Sequence, residues 1–110
     1  MTHISYAFNN SDIEAITYAL SIVPDLNLAE NETQAEINHQ LCYSAAQKLA
    51  NHDINVTPDE FRIILVALQA AKFIIHGDIE VDPVVRRECN SYFFTINKLL
   101  SVFEKQLLDS

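Results

Sequence analysis

The chain has 110 residues, 49% of them hydrophobic, with one glycine and three prolines. That is enough apolar material for one domain with its own core, and it leaves only short connections between elements. A formal net charge of −8 argues against direct binding to nucleic acid and to anionic membrane surfaces, both of which select basic patches.

Taken in order, residues 1–10 alternate apolar and polar at Ile4, Tyr6 and Phe8, a period of two that predicts an extended arm. A lone strand is poorly stable, so the arm is expected to lie as a strap along the rest. Ser11-Asp12-Ile13-Glu14 reads as a capping box. Ile13, Ile16, Leu20 and Val23 then recur at helical spacing until Pro24 stops the run, which places a helix at about 12–23. Two starts, Asn27 and Asn31, fit the next helix, taken as about 31–50, with Ile37, Leu41, Cys42, Ala45, Ala46 and Leu49 on its buried side. Residues 51–56 read as a plain connection.

The strongest signal is TPDEFRIILVALQAAKFIIHG, Thr57 to Gly77. Thr57 suits an N-cap, Pro58 the first helical position, Glu60 the reciprocal half of a capping box, and Gly77 a left-handed C-terminal closure. Between them, at about 58–76, the sequence is apolar on nearly every side; only Arg62, Gln69, Lys72 and His76 mark a polar stripe. Such a helix belongs at the centre of a domain. Arg62, Gln69 and Lys72 interrupt any run of the ~20 apolar residues that a membrane span needs, so a membrane-spanning role is not expected.

Asp82 and Pro83 start a last helix, expected at about 83–107. Val85, Cys89, Tyr92, Ile96, Leu99 and Phe103 form a heptad-like seam, and Phe93, Leu100 and Leu107 a second row beside it. Four helices with short connections predict an all-α, single-domain, up-and-down four-helix bundle with an extended N-terminal arm.

Chemistry is hard to find in this sequence. His76, Asp78, Glu80 and Asp82 alternate like a calcium loop. Counting from Asp78, however, Pro83 and Cys89 stand where that loop needs glycine and glutamate, so a solvated turn ending in an N-cap is expected. His39 and Cys42 share a helical face, with His52 and Cys89 elsewhere, but no tightly spaced ligand pairs support zinc. Neither cysteine has a local catalytic signature, and there is no phosphate loop and no nucleophile elbow. No catalytic residue, metal or cofactor is expected, and the chain is read as a non-enzyme.

Two features point elsewhere. Residues 1–57 carry Asp12, Glu14, Asp25, Glu30, Glu32, Glu36 and Asp53 against Lys48 alone, so the first half forms an acidic face. There is also surplus apolar surface: Leu65, Val66 and Phe73 fall on the polar side of the central helix, and Phe94, Val102 and Leu108 lie off the main rows of the last one. The adjacent Arg86 and Arg87 are expected either to pair with Asp82 or Glu88 or to meet an acidic partner.

The expectation is therefore a non-catalytic protein-binding module, a small acidic inhibitor or immunity-type protein that occludes a basic partner protein. The residues proposed for contact are Leu65, Val66, Phe73, Arg86, Arg87, Phe94, Glu30, Glu32 and Glu36. A structural homodimer built on the surplus apolar surface is the alternative, and a metal or ligand site in the bundle core the second. No basic region followed by an apolar run opens the chain, no lipidation motif stands at either end, and the two cysteines fall in different predicted helices. A reduced, cytoplasmic location is expected.

Overall fold

The central helix forms where its caps place it. In the computed structural model, which describes residues 2–3, 8–26, 29–53 and 55–109, α3 spans Pro58–His76. Its ends close as the sequence predicts. The Thr57 hydroxyl accepts from the Glu60 N–H at 3.1 Å, and Glu60 accepts in return from the Thr57 N–H at 2.8 Å. Gly77 takes the left-handed conformation at φ 84°, and the Asp78 N–H reaches back to the Phe73 carbonyl at 2.8 Å. Around α3 stand α1 (Asn10–Ile22), α2 (Glu32–Ala50), α4 (Pro83–Ser91) and α5 (Phe93–Asp109), all four in contact with it. Phe61, Ile63, Ile64, Ala67, Leu68, Ala70, Ala71 and Ile74 are buried, while Arg62, Gln69, Lys72 and His76 are exposed. The helix is covered by its own chain.

The expected four-helix, up-and-down bundle is corrected in its last member. Residues 83–107 do not form one helix. The chain breaks at Tyr92 into α4 and α5, giving five helices among the described residues. No proline or glycine marks the break. Tyr92 leaves the helical region at φ −101° and ψ 12°, with its N–H bonded to the Cys89 carbonyl at 3.0 Å. Two local causes act together. Asn90 and Ser91 are weak helix formers, and the Ser91 hydroxyl donates to the Glu88 carbonyl at 2.6 Å. The third cause is tertiary. The Tyr92 hydroxyl donates to Glu14 of α1 at 3.0 Å, and its ring lies 5.6 Å from that of Tyr18. The break lets both pieces lie against α3.

The first helix begins earlier than its apparent capping box. Asn9 is the N-cap, not Ser11, and the reciprocal partner is Asp12. Asn9 Oδ1 accepts from the Asp12 N–H at 2.8 Å, and Asp12 Oδ2 accepts from the Asn9 N–H at 3.1 Å. This register turns Asp12 inward, 0% exposed, where its other oxygen accepts from Lys98 of α5 at 2.6 Å. A Ser11 cap would forfeit that pair. Helix α1 is followed by a 3-10 turn, Val23–Leu26, which carries Pro24. Helix α2 starts from Asn31, whose Oδ1 accepts from the Gln34 N–H at 2.8 Å; the rival start at Asn27 and the anchor Leu28 lie outside the described residues. Cys42, Ala45 and Leu49 are buried as expected, Leu41 and Ala46 half-buried, and Ile37 exposed.

The arm is tied down at both described ends. Thr2–His3 (β1) pairs antiparallel with Asn55–Val56 (β2), so the segment 51–56 is more than a plain connection. Phe8 packs its ring 5.9 Å from Phe103. Ile4 and Tyr6 lie outside the described residues.

A second residue besides Gly77 is left-handed. His52 sits at φ 59°, closing α2, with the Asp53 N–H on the Lys48 carbonyl at 2.8 Å and its own N–H on the Leu49 carbonyl at 3.0 Å. Histidine tolerates this region better than most residues, yet an L side chain still crowds there. His52→Gly should therefore raise the unfolding free energy by about 0.5–1 kcal/mol, after allowing for the extra chain freedom that glycine gives the unfolded state. Urea denaturation at neutral pH checks this.

Candidate functional site

The residues expected to bind a partner are spread over α2, α3, α4, α5 and the segment before α2. Leu65 and Val66 are half-buried; Leu65 packs against the core, and Val66 lines a 390 Å³ groove between the N-terminal halves of α2 and α3. Phe73 and Phe94 are 51% and 85% exposed. Phe94 leans edge-on against Phe93 at 5.5 Å, and Phe93 faces His76 at 6.5 Å, so an aromatic corner forms where α5 meets the end of α3. Arg86 and Arg87 are exposed on α4. Neither is in an ion pair among the described residues, which corrects the expected pairing with Asp82 or Glu88. Glu30, Glu32 and Glu36 are exposed at and beside the start of α2. Among the surplus residues of the last helix, Val102 is half-buried, and the side chain of Leu108 lies outside the described residues.

The acids of the first half are exposed with one exception. No lysine or arginine occurs before Lys48. Of the six acids before it, only Asp12 is buried and matched; Glu14, Asp25, Glu30, Glu32 and Glu36 are all exposed. They are carried by α1, the 3-10 turn, the start of α2 and the segment between. Lys48 itself turns away from this set and pairs with Glu60 at 2.6 Å.

A groove of 190 Å³ runs between α1 and α2. Thr17, Leu20, Ser21 and Pro24 form one wall, and His39, Cys42, Tyr43 and Ala46 the other. The lining is apolar in effect, because the polar groups on the α1 wall are already engaged. The Thr17 hydroxyl donates to the Ile13 carbonyl at 2.8 Å and the Ser21 hydroxyl to the Tyr18 carbonyl at 2.6 Å. Tyr43 stands at the rim, 66% exposed. On α2, Glu32, Glu36, His39 and Tyr43 follow one another at spacings of four, three and four, so they share a stripe.

Each chemical alternative can be set against this geometry. His39 and Cys42 do come together, on one wall of the groove, but no group of three metal-ligating side chains forms among the described residues. Cys42 is a poor nucleophile there, because burial pushes its thiol up to about 11. Cys89 is likewise buried, and desolvation together with nearby Glu88 raises its thiol as well. The His76–Asp82 turn is exposed at His76, Asp78, Glu80 and Asp82, and Asp82 caps α4 through the Val84 N–H at 2.9 Å, as its sequence suggests. Among the described residues no helix is long and apolar enough to cross a membrane.

The most strongly shifted carboxylate lies apart from all of these surfaces. Glu60 is 2% exposed and accepts from Lys48 Nζ at 2.6 Å, from the Ser44 hydroxyl, and from the Thr57 N–H at 2.8 Å. Burial by itself would raise its pKa. The three donors and the lysine charge more than offset burial and bring it down to about 2. It is thus a fixed anion with both oxygens bonded to protein donors, suited to holding α2 on α3 and unsuited to moving protons.

Comparison with known proteins finds no matching family model, no similar curated protein and no similar solved structure.

Proposed function

We propose that the chain is a non-catalytic protein-binding module, a small inhibitor or immunity-type protein whose acidic face occludes a basic partner such as a nucleic-acid-processing protein. The observation that carries this reading is the charge distribution: five exposed carboxylates on and between α1 and α2, with no lysine or arginine before Lys48. A field of one sign steers association with an oppositely charged surface and rejects like-charged ones. The buried thiols and the fully bonded Glu60 support a binding role over a catalytic one.

Immobilised protein is expected to retain basic proteins from a host lysate at low salt. Retention should fall steeply as ionic strength rises and the Debye length shrinks from about 30 Å at 0.01 M to about 8 Å at 0.15 M. Combined Glu14→Gln, Glu32→Gln and Glu36→Gln should abolish capture, whereas Arg86→Gln with Arg87→Gln should not. Retention of neutral or acidic proteins, or indifference to the triple change, would sink the reading.

A structural homodimer is the second reading, favoured by one observation, the aromatic corner with Phe94 and Phe73 in water. Light scattering separates the two: a dimer dissolved by Phe94→Asp supports the homodimer, and a monomer at high concentration removes it.

A further inference from the structure

We infer that the groove between α1 and α2 is the seat of an anchor side chain: it takes one aliphatic or aromatic residue projecting from a lysine- or arginine-rich segment of a partner protein. This rests on the proposed reading of the acidic face and deepens it by naming the site and the chemistry of its occupant.

The size fits. An apolar cavity of about 150 Å³ accepts benzene, and this groove holds 190 Å³, room for one leucine or phenylalanine side chain. The lining selects an apolar guest. Leu20, Pro24 and Ala46 are carbon surfaces, the Cys42 thiol stays protonated, and the hydroxyls of Thr17 and Ser21 donate within their own helix. Tyr43 at the rim has the residue type of an interface hot spot: a rigid ring with a polar tip, already carried on a helix.

The surroundings select a basic guest. Going down α1, Glu14 lies one turn before Thr17 and Asp25 one residue beyond Pro24. On α2, Glu36 lies one turn before His39, with Glu32 one turn earlier. Val23, which follows α1, lines a groove together with Gln34, Ile37, Asn38 and Leu41 of the first half of α2, so the end of α1 lies by the start of α2, their lining residues run in opposite directions, and these carboxylates fall on the chain beyond both ends of the groove. No lysine or arginine of either helix reaches it, since Lys48 is committed to Glu60. The larger α2–α3 groove does not discriminate in this way, because it is flanked by both signs: Arg62 and Asp59 pair across its edge at 3.2 Å. A second copy of the chain is a poor occupant of the α1–α2 groove, because each copy brings a net charge of −8 to an acidic surface.

Two lysine-rich synthetic peptides test this against the full-length protein: one carries a single central leucine, the other serine in its place, and binding is read by fluorescence anisotropy. Burying one leucine should tighten binding roughly ten- to a hundredfold, so the leucine peptide is expected to win by that factor. Tyr43→Ser, and separately Ser21→Phe to fill the groove from its exposed edge, should erase the difference while circular dichroism stays unchanged. Glu32→Gln with Glu36→Gln should instead weaken both peptides alike. If the two peptides bind equally and ignore Tyr43→Ser, the groove is not the seat, and the acidic-face reading survives. If neither binds at low salt, both fall. A concentration-dependent dimer that Tyr43→Ser dissolves would make the occupant a second copy and overturn the proposal.

Discussion

Glu60→Ala should lower the unfolding free energy by about 3–4 kcal/mol at neutral pH, and Glu60→Gln by about 2. The alanine change removes four things together: the return half of the α3 capping box, the acceptor for Ser44, the partner of Lys48, and the side-chain atoms filling a buried position. Lys48 is 23% exposed along its side chain, so it can turn partly to water, which keeps the cost below that of a fully stranded charge. Glutamine retains an acceptor for the Thr57 N–H, because Gln serves in a capping box as Glu does. The cost of the glutamine change therefore measures the ion pair apart from the cap, and the gap between the two variants measures the cap, the Ser44 bond and the packing.

The same residue predicts the acid limb of the stability curve. Glu60 has a folded-state pKa of about 2 against an ordinary 4.5, so the folded state favours the ionised form. Its contribution is complete above about pH 4.5 and is lost as the pH falls toward 2. A displacement of this size corresponds to about 3 kcal/mol. Urea titrations between pH 7 and pH 2.5 should show wild-type stability falling through that window and the Glu60→Gln protein falling less. Equal slopes for the two proteins would place the acid sensitivity in other carboxylates and remove Glu60 from this role.

Glu60 also shows where sequence reading succeeds and where it stops. Its cap was legible because Thr57, Pro58 and Glu60 act within one turn, and Gly77 closes the far end on local backbone geometry alone. Its partnership with Lys48 and Ser44 was not legible, because those residues reach it from a different helix. The same division runs through the fold. Asn9 and Ser11 both fit an N-cap, and what decides between them is Lys98, 86 positions away from Asp12. The break at Tyr92 has no proline or glycine to announce it; the phenol bond to Glu14 spans 78 positions. The heptad pattern reads straight through the break because Cys89, Ile96, Leu99 and Phe103 are all buried on both sides of it.

The α1–α2 groove follows the same logic. One wall shows in the sequence as the His39–Cys42 pair, but the facing wall comes from α1, and no local pattern couples the two. The signal that was available is negative, the absence of any lysine or arginine before Lys48. It becomes informative only when α1 and α2 are seen side by side. Leu65 and Val66 read as surplus apolar residues because a helical wheel puts them on the polar stripe. They are half-buried because the neighbours of α3 wrap further round it than a simple bundle requires.

Phe103→Ala should be among the most damaging single changes in the chain, at about 4 kcal/mol, whereas Phe94→Ala should stay within about 0.5 kcal/mol of wild type. Both phenylalanines sit on α5, and nothing about residue type distinguishes them. Phe103 is 0% exposed, edge-on to Phe61 of α3 at 5.3 Å and 5.9 Å from Phe8. Truncation leaves a cavity where three rings met, and each lost ring pair adds about 0.5–1.5 kcal/mol to the transfer term. Because Phe103 joins α5, α3 and the N-terminal segment, its loss should also uncouple Phe8. Phe8→Ala alone should cost less than Phe103→Ala, and the double variant less than the sum of the two. Urea unfolding of the four proteins in the cycle reads the coupling directly. Full additivity would mean that the N-terminal segment is held by something other than the Phe8–Phe103 contact, and near-neutrality of Phe103→Ala would remove α5 from the core.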